Sequence, residues 1–117
     1  MKRVTALLSA VAIGLAGCAQ SADWSEDTVR GEALVRELGC LACHGQEDGV
    51  GPAWTGAWGT SRRLADGSTV VFDGAYIRSS VLEPAAQVVM GFDPVMPSFS
   101  LTEDDLAAIV AYLEEST

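Results

Sequence analysis

The sequence predicts an all-α domain of three or four helices with one small β-hairpin inserted. Three observations carry this expectation. Two segments, one early and one at the end of the chain, repeat apolar residues at helical spacing. Asp66-Gly67 sits between two short apolar runs, which is the pattern of a hairpin. A length of 117 residues suits one domain, and 49% hydrophobic with 20% charged residues is a globular rather than a disordered composition.

The first element in chain order is a targeting segment. Lys2 and Arg3 precede an apolar, small-residue run from Val4 to Gly17. That is the make-up of a secretory signal, too short for a membrane span. It closes on Leu15-Ala16-Gly17-Cys18, which resembles a bacterial lipobox. In such signals cleavage falls before the cysteine, whose sulfur and amine then carry lipid. The expected organisation is a lipoprotein signal peptide over 1–17, a lipid anchor and tether over 18–26, and the domain over 27–117. The mature chain is then expected to be exported and lipid-anchored, on the periplasmic or extracytoplasmic face of a bacterial membrane. The alternative is an ordinary signal with an incidental cysteine. Two or three acyl chains on Cys18 suffice for stable anchoring, where a single chain is marginal.

Charge narrows the partners. The full chain has a formal charge of −9. Loss of Lys2 and Arg3 leaves five Arg against sixteen Asp and Glu, hence −11. A chain this acidic is not expected to bind nucleic acid.

The first helix is expected to be capped by Asp27 or Thr28 and to run to Leu38, with Gly39 ending it. Gly31, Leu34, Val35 and Leu38 form its apolar stripe. A shorter helix is expected over Ala75–Leu82, stopping before Pro84. The last helix starts at the capping signal Thr102-Glu103-Asp104-Asp105, with Leu101 placed to staple onto Leu106. Leu106, Ile109, Val110 and Leu113 give it the same stripe. The two stripes should cross where Gly31 allows close approach near Tyr112. Between them, Leu64–Val71 is the expected hairpin. Trp24, in the tether, could touch either the domain or the membrane interface.

A core of about 100 residues is marginal without a staple. Cys40-Leu41-Ala42-Cys43-His44 supplies one. In a Cys-x-x-Cys-His sequence the two thiols add across the two vinyl groups of haem, and the histidine becomes the proximal iron ligand. Export fits, because this attachment takes place outside the cytoplasm. The competing uses fail on counting. Structural zinc needs about four ligands, and one histidine with two remaining cysteines does not supply them. A thioredoxin-like pair needs a βαβ setting, whereas the flanks here are helical. A Cys40–Cys43 disulfide would close a very small loop.

His44 is the single histidine, so a second axial ligand has to be of another type. The mature chain offers Met90 and Met96. Met96 lies in Asp93-Pro94-Val95-Met96-Pro97, where the prolines stiffen the backbone on both sides. Met96 is therefore the expected ligand, and Met90, after Val88-Val89, an apolar residue lining the pocket. Gly51-Pro52 follows the attachment motif, and the Pro52 carbonyl is the candidate acceptor for the other ring nitrogen of His44.

The order helix, Cys-x-x-Cys-His, Gly-Pro, Met-Pro, helix resembles that of class I cytochromes c. Within them, Gly51-Pro52-Ala53-Trp54-Thr55-Gly56-Ala57-Trp58-Gly59, Asp66-Gly67, Ala75-Tyr76-Ile77-Arg78 and Val88-Val89-Met90-Gly91-Phe92 through Met96-Pro97 resemble one branch. That branch is the cytochrome c domain fused to subunit II of bacterial haem–copper oxidases, together with related single-haem lipoprotein subunits. The likeness covers residues 28–115. It implies the class I cytochrome c fold, three or four helices around one covalently bound haem c. It also implies Trp and Arg near the haem propionates, with Trp58 and one of Arg62 or Arg63 as candidates. Pro52, Trp54 and Met90 complete the expected haem pocket. The branch's copper domain and membrane helices have no counterpart in this sequence, so the resemblance implies delivery of electrons rather than oxygen chemistry.

The expected function is that of a single-haem electron carrier, not an enzyme, passing one electron at a time in a membrane-bound respiratory chain. The expected partners are redox proteins, a membrane oxidase or a quinol-oxidising complex, and the membrane itself through the lipid. An acidic surface suits a basic docking face on such a partner, and it equally suits simple solubility or a salty habitat. A permanent subunit of a larger complex is the alternative. A haem enzyme or sensor with an open sixth position is a further one, weakened by the lack of a distal histidine.

Overall fold

The computed structural model describes residues 24–117, so the signal segment and Cys18 lie outside the described residues. Three α-helices frame the domain: α1 (Glu26–Glu37), α2 (Gly74–Leu82) and α3 (Glu103–Ser116). One 3-10 turn (Cys40–Ala42) and a two-stranded antiparallel sheet, β1 (Ser61–Arg63) and β2 (Thr69–Val71), complete it. Among the described residues no helix is long and apolar enough to cross a membrane.

Helix α1 starts earlier than its sequence suggests. Ser25 is the cap, its hydroxyl accepting from the Thr28 N–H at 3.1 Å. Thr28 is fully buried inside the first turn, and its own hydroxyl pairs with that of Ser25 at 2.9 Å. Trp24 packs edge-on against Tyr112, centroids 5.9 Å apart. Trp24 therefore touches the domain.

Helices α1 and α3 cross as expected. A Cβ on Gly31 would lie 1.9 Å from the Ala108 carbonyl oxygen and 2.7 Å from Tyr112 Cβ, so only glycine permits this approach. Val35, Leu106 and Leu113 are at most 1% exposed around the crossing. Burial of each such side chain contributes roughly 1.5–3 kcal/mol. Thr102 and Asp105 form a reciprocal capping box at the start of α3. Arg30 of α1 pairs with Asp105 at 2.5 Å, and Arg78 of α2 pairs with Glu103. These are surface pairs, worth at most about 1 kcal/mol each.

The hairpin pairs Ser61 with Val71, Arg62 with Val70 and Arg63 with Thr69. Its turn is built by Asp66, whose carboxylate accepts from the Ser68 N–H at 2.8 Å and from the Ser68 hydroxyl at 2.6 Å. Gly67 sits at φ +87°, where a side chain would be strained. Beyond the hairpin, Asp73 caps α2 by accepting from the Tyr76 N–H at 2.9 Å. Helix α2 ends at Leu82, just short of Pro84.

Candidate haem site

Helix α1 stops because Gly39 takes the left-handed conformation at φ +74°. The chain then tightens into the 3-10 turn. The N–H groups of Cys43 and His44 both donate to the Cys40 carbonyl, at 3.2 and 2.9 Å. With about three residues per turn, positions i and i+3 lie on one edge, which puts Cys40 and Cys43 side by side. Among the described residues neither is in a disulfide. Cys40 is half-buried, and burial pushes its thiol pKa up. Cys43 is exposed.

His44 is clamped by the loop that follows. Its Nδ1 lies 2.9 Å from the Pro52 carbonyl oxygen. A carbonyl can only accept, so Nδ1 carries the proton and Nε2 is left with its lone pair. Burial holds the imidazole pKa below its ordinary value, against the smaller opposing effect of the Pro52 bond. Burial thus favours the neutral ring, the form that ligates metal. The Trp54 ring stacks on it, 4.7 Å between centroids and 6° from parallel. Gly51 passes so close that a Cβ there would lie 2.6 Å from His44 Cε1. The loop itself is held by the bonds Gly51 N–H to Cys43 O at 3.1 Å, Trp54 N–H to Gly45 O at 3.1 Å, and Ala53 N–H to the Asp48 carboxylate at 2.8 Å.

These residues open on an apolar cavity of about 220 Å³. Its back wall is Phe72, Ile77, Val81, Ile109 and Leu113, from β2's end, α2 and α3. A second loop supplies Val88, Val89, Phe92 and Met96 to its lining. Pro94 and Pro97, on either side of Met96, line it too.

Six of the expected site residues thus share one cavity: Cys40, Cys43, His44, Pro52, Trp54 and Met96. Four lie outside its lining. Met90 was expected to line the pocket and does not; it is 47% exposed. The Met90 N–H donates to the Arg63 carbonyl at 2.9 Å, which lays residues 88–90 along the hairpin, and Val88 and Val89 face the cavity in its place. Trp58 packs edge-on against Phe72, centroids 6.3 Å apart, behind the wall. Arg62 donates to the Ala53 carbonyl at 2.9 Å, with its guanidinium 5.7 Å from the Phe72 ring centroid. Arg63, the next residue of the strand, points the other way and is exposed.

The donor set fits a haem. It offers two thiols on one edge, a neutral imidazole with a free Nε2 and a thioether, all on an apolar cavity. Two buried donors, Ser80 Oγ in the lining and Arg62 Nε outside it, have no hydrogen-bond partner among the described residues. Such orphans suit a group that brings its own acceptors, as the carboxylates of haem do. Among the described residues no three His, Cys, Asp or Glu side chains converge, which leaves the zinc alternative without a ligand set there. Sequence reasoning missed two features. The clearance at Gly51 is one, although an otherwise unexplained Gly before Pro is its signal. The orphan hydroxyl of Ser80 is the other, and it carries no sequence signal.

This frame and this site define a c-type cytochrome domain. Residues 26–113 match the family described as "Cytochrome C oxidase, cbb3-type, subunit III", and the chain belongs to that family. It is a cytochrome c domain of the kind that binds haem c covalently and carries electrons in a respiratory oxidase setting. No curated protein matches the chain.

Proposed function

We propose that this chain carries one haem c and works as a one-electron carrier at a bacterial membrane, passing electrons to or within a terminal oxidase. The observation that carries the reading is the convergence of His44 and Met96 on one apolar cavity beside Cys40 and Cys43. The sequence has a single Cys-x-x-Cys-His, which supports one haem.

Haem c bound there supplies the reversible ferric–ferrous couple. Cys40 and Cys43 would hold it by thioether bonds, and His44 Nε2 and the Met96 sulfur would be the iron's axial ligands. The Pro52 carbonyl and the Trp54 ring fix the imidazole, so it need not reorient between redox states. The apolar walls exclude water, and a thioether ligand favours the ferrous state and raises the potential. Of the two adjacent arginines, Arg62 is the better propionate candidate, since its guanidinium lies beside Phe72 of the cavity wall while Arg63 is exposed; reaching a propionate would require the Arg62 side chain to swing from its present place outside the lining. Trp58 would act only indirectly, by packing against Phe72 of the wall. Met96 would occupy the position that a haem enzyme or sensor keeps open for its substrate or gas, which favours the carrier reading.

The lipobox reading adds an anchor at Cys18, which would raise the effective concentration near a membrane partner. The resemblance to the domain fused to subunit II of haem–copper oxidases points to the same setting. The acidic surface fits a basic docking face on the partner. A second reading, a permanent subunit rather than a shuttle, is favoured by the family's own description as an oxidase subunit.

The ligand set is tested by Met96→Ala, for which we expect a changed ferric spectrum and a lower potential; unchanged values would overturn Met96 ligation. Haem that survives acid–organic extraction supports attachment at Cys40 and Cys43, and haem that extracts freely refutes it. Mass spectrometry of the mature N-terminus tests the lipid on Cys18. Co-purification with an oxidase from mildly solubilised membranes would favour the fixed subunit.

A further inference from the structure

The loop that carries Met96 is fastened to the rest of the domain at two places. Downstream, the Phe99 N–H donates to the Val81 carbonyl at 3.1 Å, on α2. Upstream, residues 88–90 pair with residues 63–65, at and just past the end of β1. The Ala65 N–H donates to the Val88 carbonyl at 2.8 Å, the Met90 N–H donates to the Arg63 carbonyl at 2.9 Å, and Leu64 bridges antiparallel to Val89. Leu64 is 3% exposed, and Val89 packs on the same core. Between these fastenings, the backbone bonds of residues 91–98 stay local. Phe92 donates to Val89 and Val95 to Asp93.

The hairpin and the segment 88–90 need each other. Strands of three residues joined by a short turn are marginal by themselves, and the Leu64–Val89 bridge with its two flanking hydrogen bonds ties them to a further segment. The segment 88–90 in turn gains a fixed register from Leu64, which is buried and cannot slip by one residue without turning outward. The hairpin adds little to the cavity wall directly, yet it positions the start of the loop that presents the sulfur. A thioether is a weak axial ligand to a metal, so its retention would depend on how tightly its loop is held.

We propose that the hairpin Ser61–Val71 is a brace for the Met96 loop. It sets the place of residues 88–90 and, through them, how firmly Met96 holds its axial position. The inference rests on Met96 being that ligand, and the hairpin acts as a positioning element.

The test uses the haem-loaded ferric protein and imidazole, a small ligand that competes for the position Met96 would hold. Two variants loosen the turn without touching the cavity. Gly67→Val forces a side chain onto φ +87°, where a new Cβ meets nothing within 4 Å, so the strain stays in the backbone. Asp66→Ala removes the two bonds from Ser68, and it carries the test if Gly67→Val does not fold. Ser25→Ala is the control, since it removes the α1 cap and touches neither fastening. We expect imidazole affinity to rise about tenfold in the hairpin variants, the scale of one weakened hydrogen bond. Ser25→Ala should stay within about twofold at a comparable loss of Tm, on the scale of a lost cap. Met96→Ala should bind imidazole most tightly, with no further gain from Asp66→Ala. Wild type and Met96→Ala binding imidazole equally would sink the ligand assignment. A tighter Met96→Ala with unmoved hairpin variants, or an equal rise in Ser25→Ala, would sink the brace alone.

Discussion

Replacing Gly51 by alanine separates crowding at His44 from ordinary loop effects. The added Cβ would lie 2.6 Å from Cε1, 2.8 Å from Nδ1 and 3.1 Å from Nε2 of the imidazole. The ring has no easy retreat, because Trp54 stacks on it at 4.7 Å and the Pro52 carbonyl holds Nδ1 at 2.9 Å. Overpacking of this kind costs about 1–3 kcal/mol. A Gly→Ala change also stiffens the unfolded chain, a gain of roughly 0.4–1 kcal/mol where the backbone tolerates it. Gly51 does not have a positive φ, so that gain applies. Crowding wins, with a net loss of about 1–2 kcal/mol and a fall in Tm on the order of 5–15 °C.

Gly45 and Gly49 in the same loop are the internal comparison. A Cβ at either meets its nearest atom at 3.9 or 3.8 Å, ordinary contact. Gly45→Ala and Gly49→Ala should therefore be neutral or stabilising by up to about 1 kcal/mol. The assay is thermal unfolding of the haem-loaded protein, with the absorption spectrum as a second readout for the displaced imidazole. If Gly51→Ala melts at or above Gly49→Ala with an unchanged spectrum, the close packing of Gly51 on His44 is wrong.

Two further expectations follow from the helices. Gly31→Ala drives a Cβ to 1.9 Å from a backbone oxygen, which cannot rotate away; α1 and α3 must part, at a cost of about 3 kcal/mol or more, and an unchanged Tm would refute the crossing. The Thr102 hydrogen bonds, then Arg30, hold the Asp105 carboxyl below the usual carboxylate range, so its contribution to stability is complete above the ordinary pKa of about 4 and is lost as the pH falls through the depressed folded value. Asp105→Asn should flatten the acid limb of a Tm-versus-pH curve, and an unaltered slope would count against the capping box.

What the sequence made legible is what local chemistry decides. The attachment motif, the α3 capping box and the Asp66-Gly67 turn each depend on residues within a few positions of one another. Gly31 was legible too, because a glycine in the middle of an apolar stripe costs helix stability and needs a packing reason. The misplacements have a common origin in contacts between distant segments. Met90 was assigned to the pocket by its apolar neighbours, but pairing with Arg63 decides which of residues 88–90 face inward. Arg62 and Arg63 could not be ranked, since a three-residue strand has no alternation long enough to reveal its inner face. Asp27 and Thr28 looked like caps; Ser25 takes the role because Thr28 is needed as a buried residue of the helix.

The two sides of the site are held by different kinds of constraint, and this bears on the chemistry. His44 follows Cys43 directly, so attachment of the cysteines would leave the imidazole a leash of one residue, and Pro52 and Trp54 hold the ring further. Met96 lies far along the chain from any covalent attachment and depends on a few backbone bonds to β1 and α2. Local openings start where such bonds are few, and on this side no covalent attachment would back them up. The sulfur side is therefore the softer one. An electron carrier needs both ligands to stay in place as the iron changes charge, which puts the demand for rigidity on the Met96 loop rather than on the attachment motif. The prolines at 94 and 97 and the edge pairing at 88–90 both answer that demand, the first by limiting the backbone of the loop and the second by fixing where it begins.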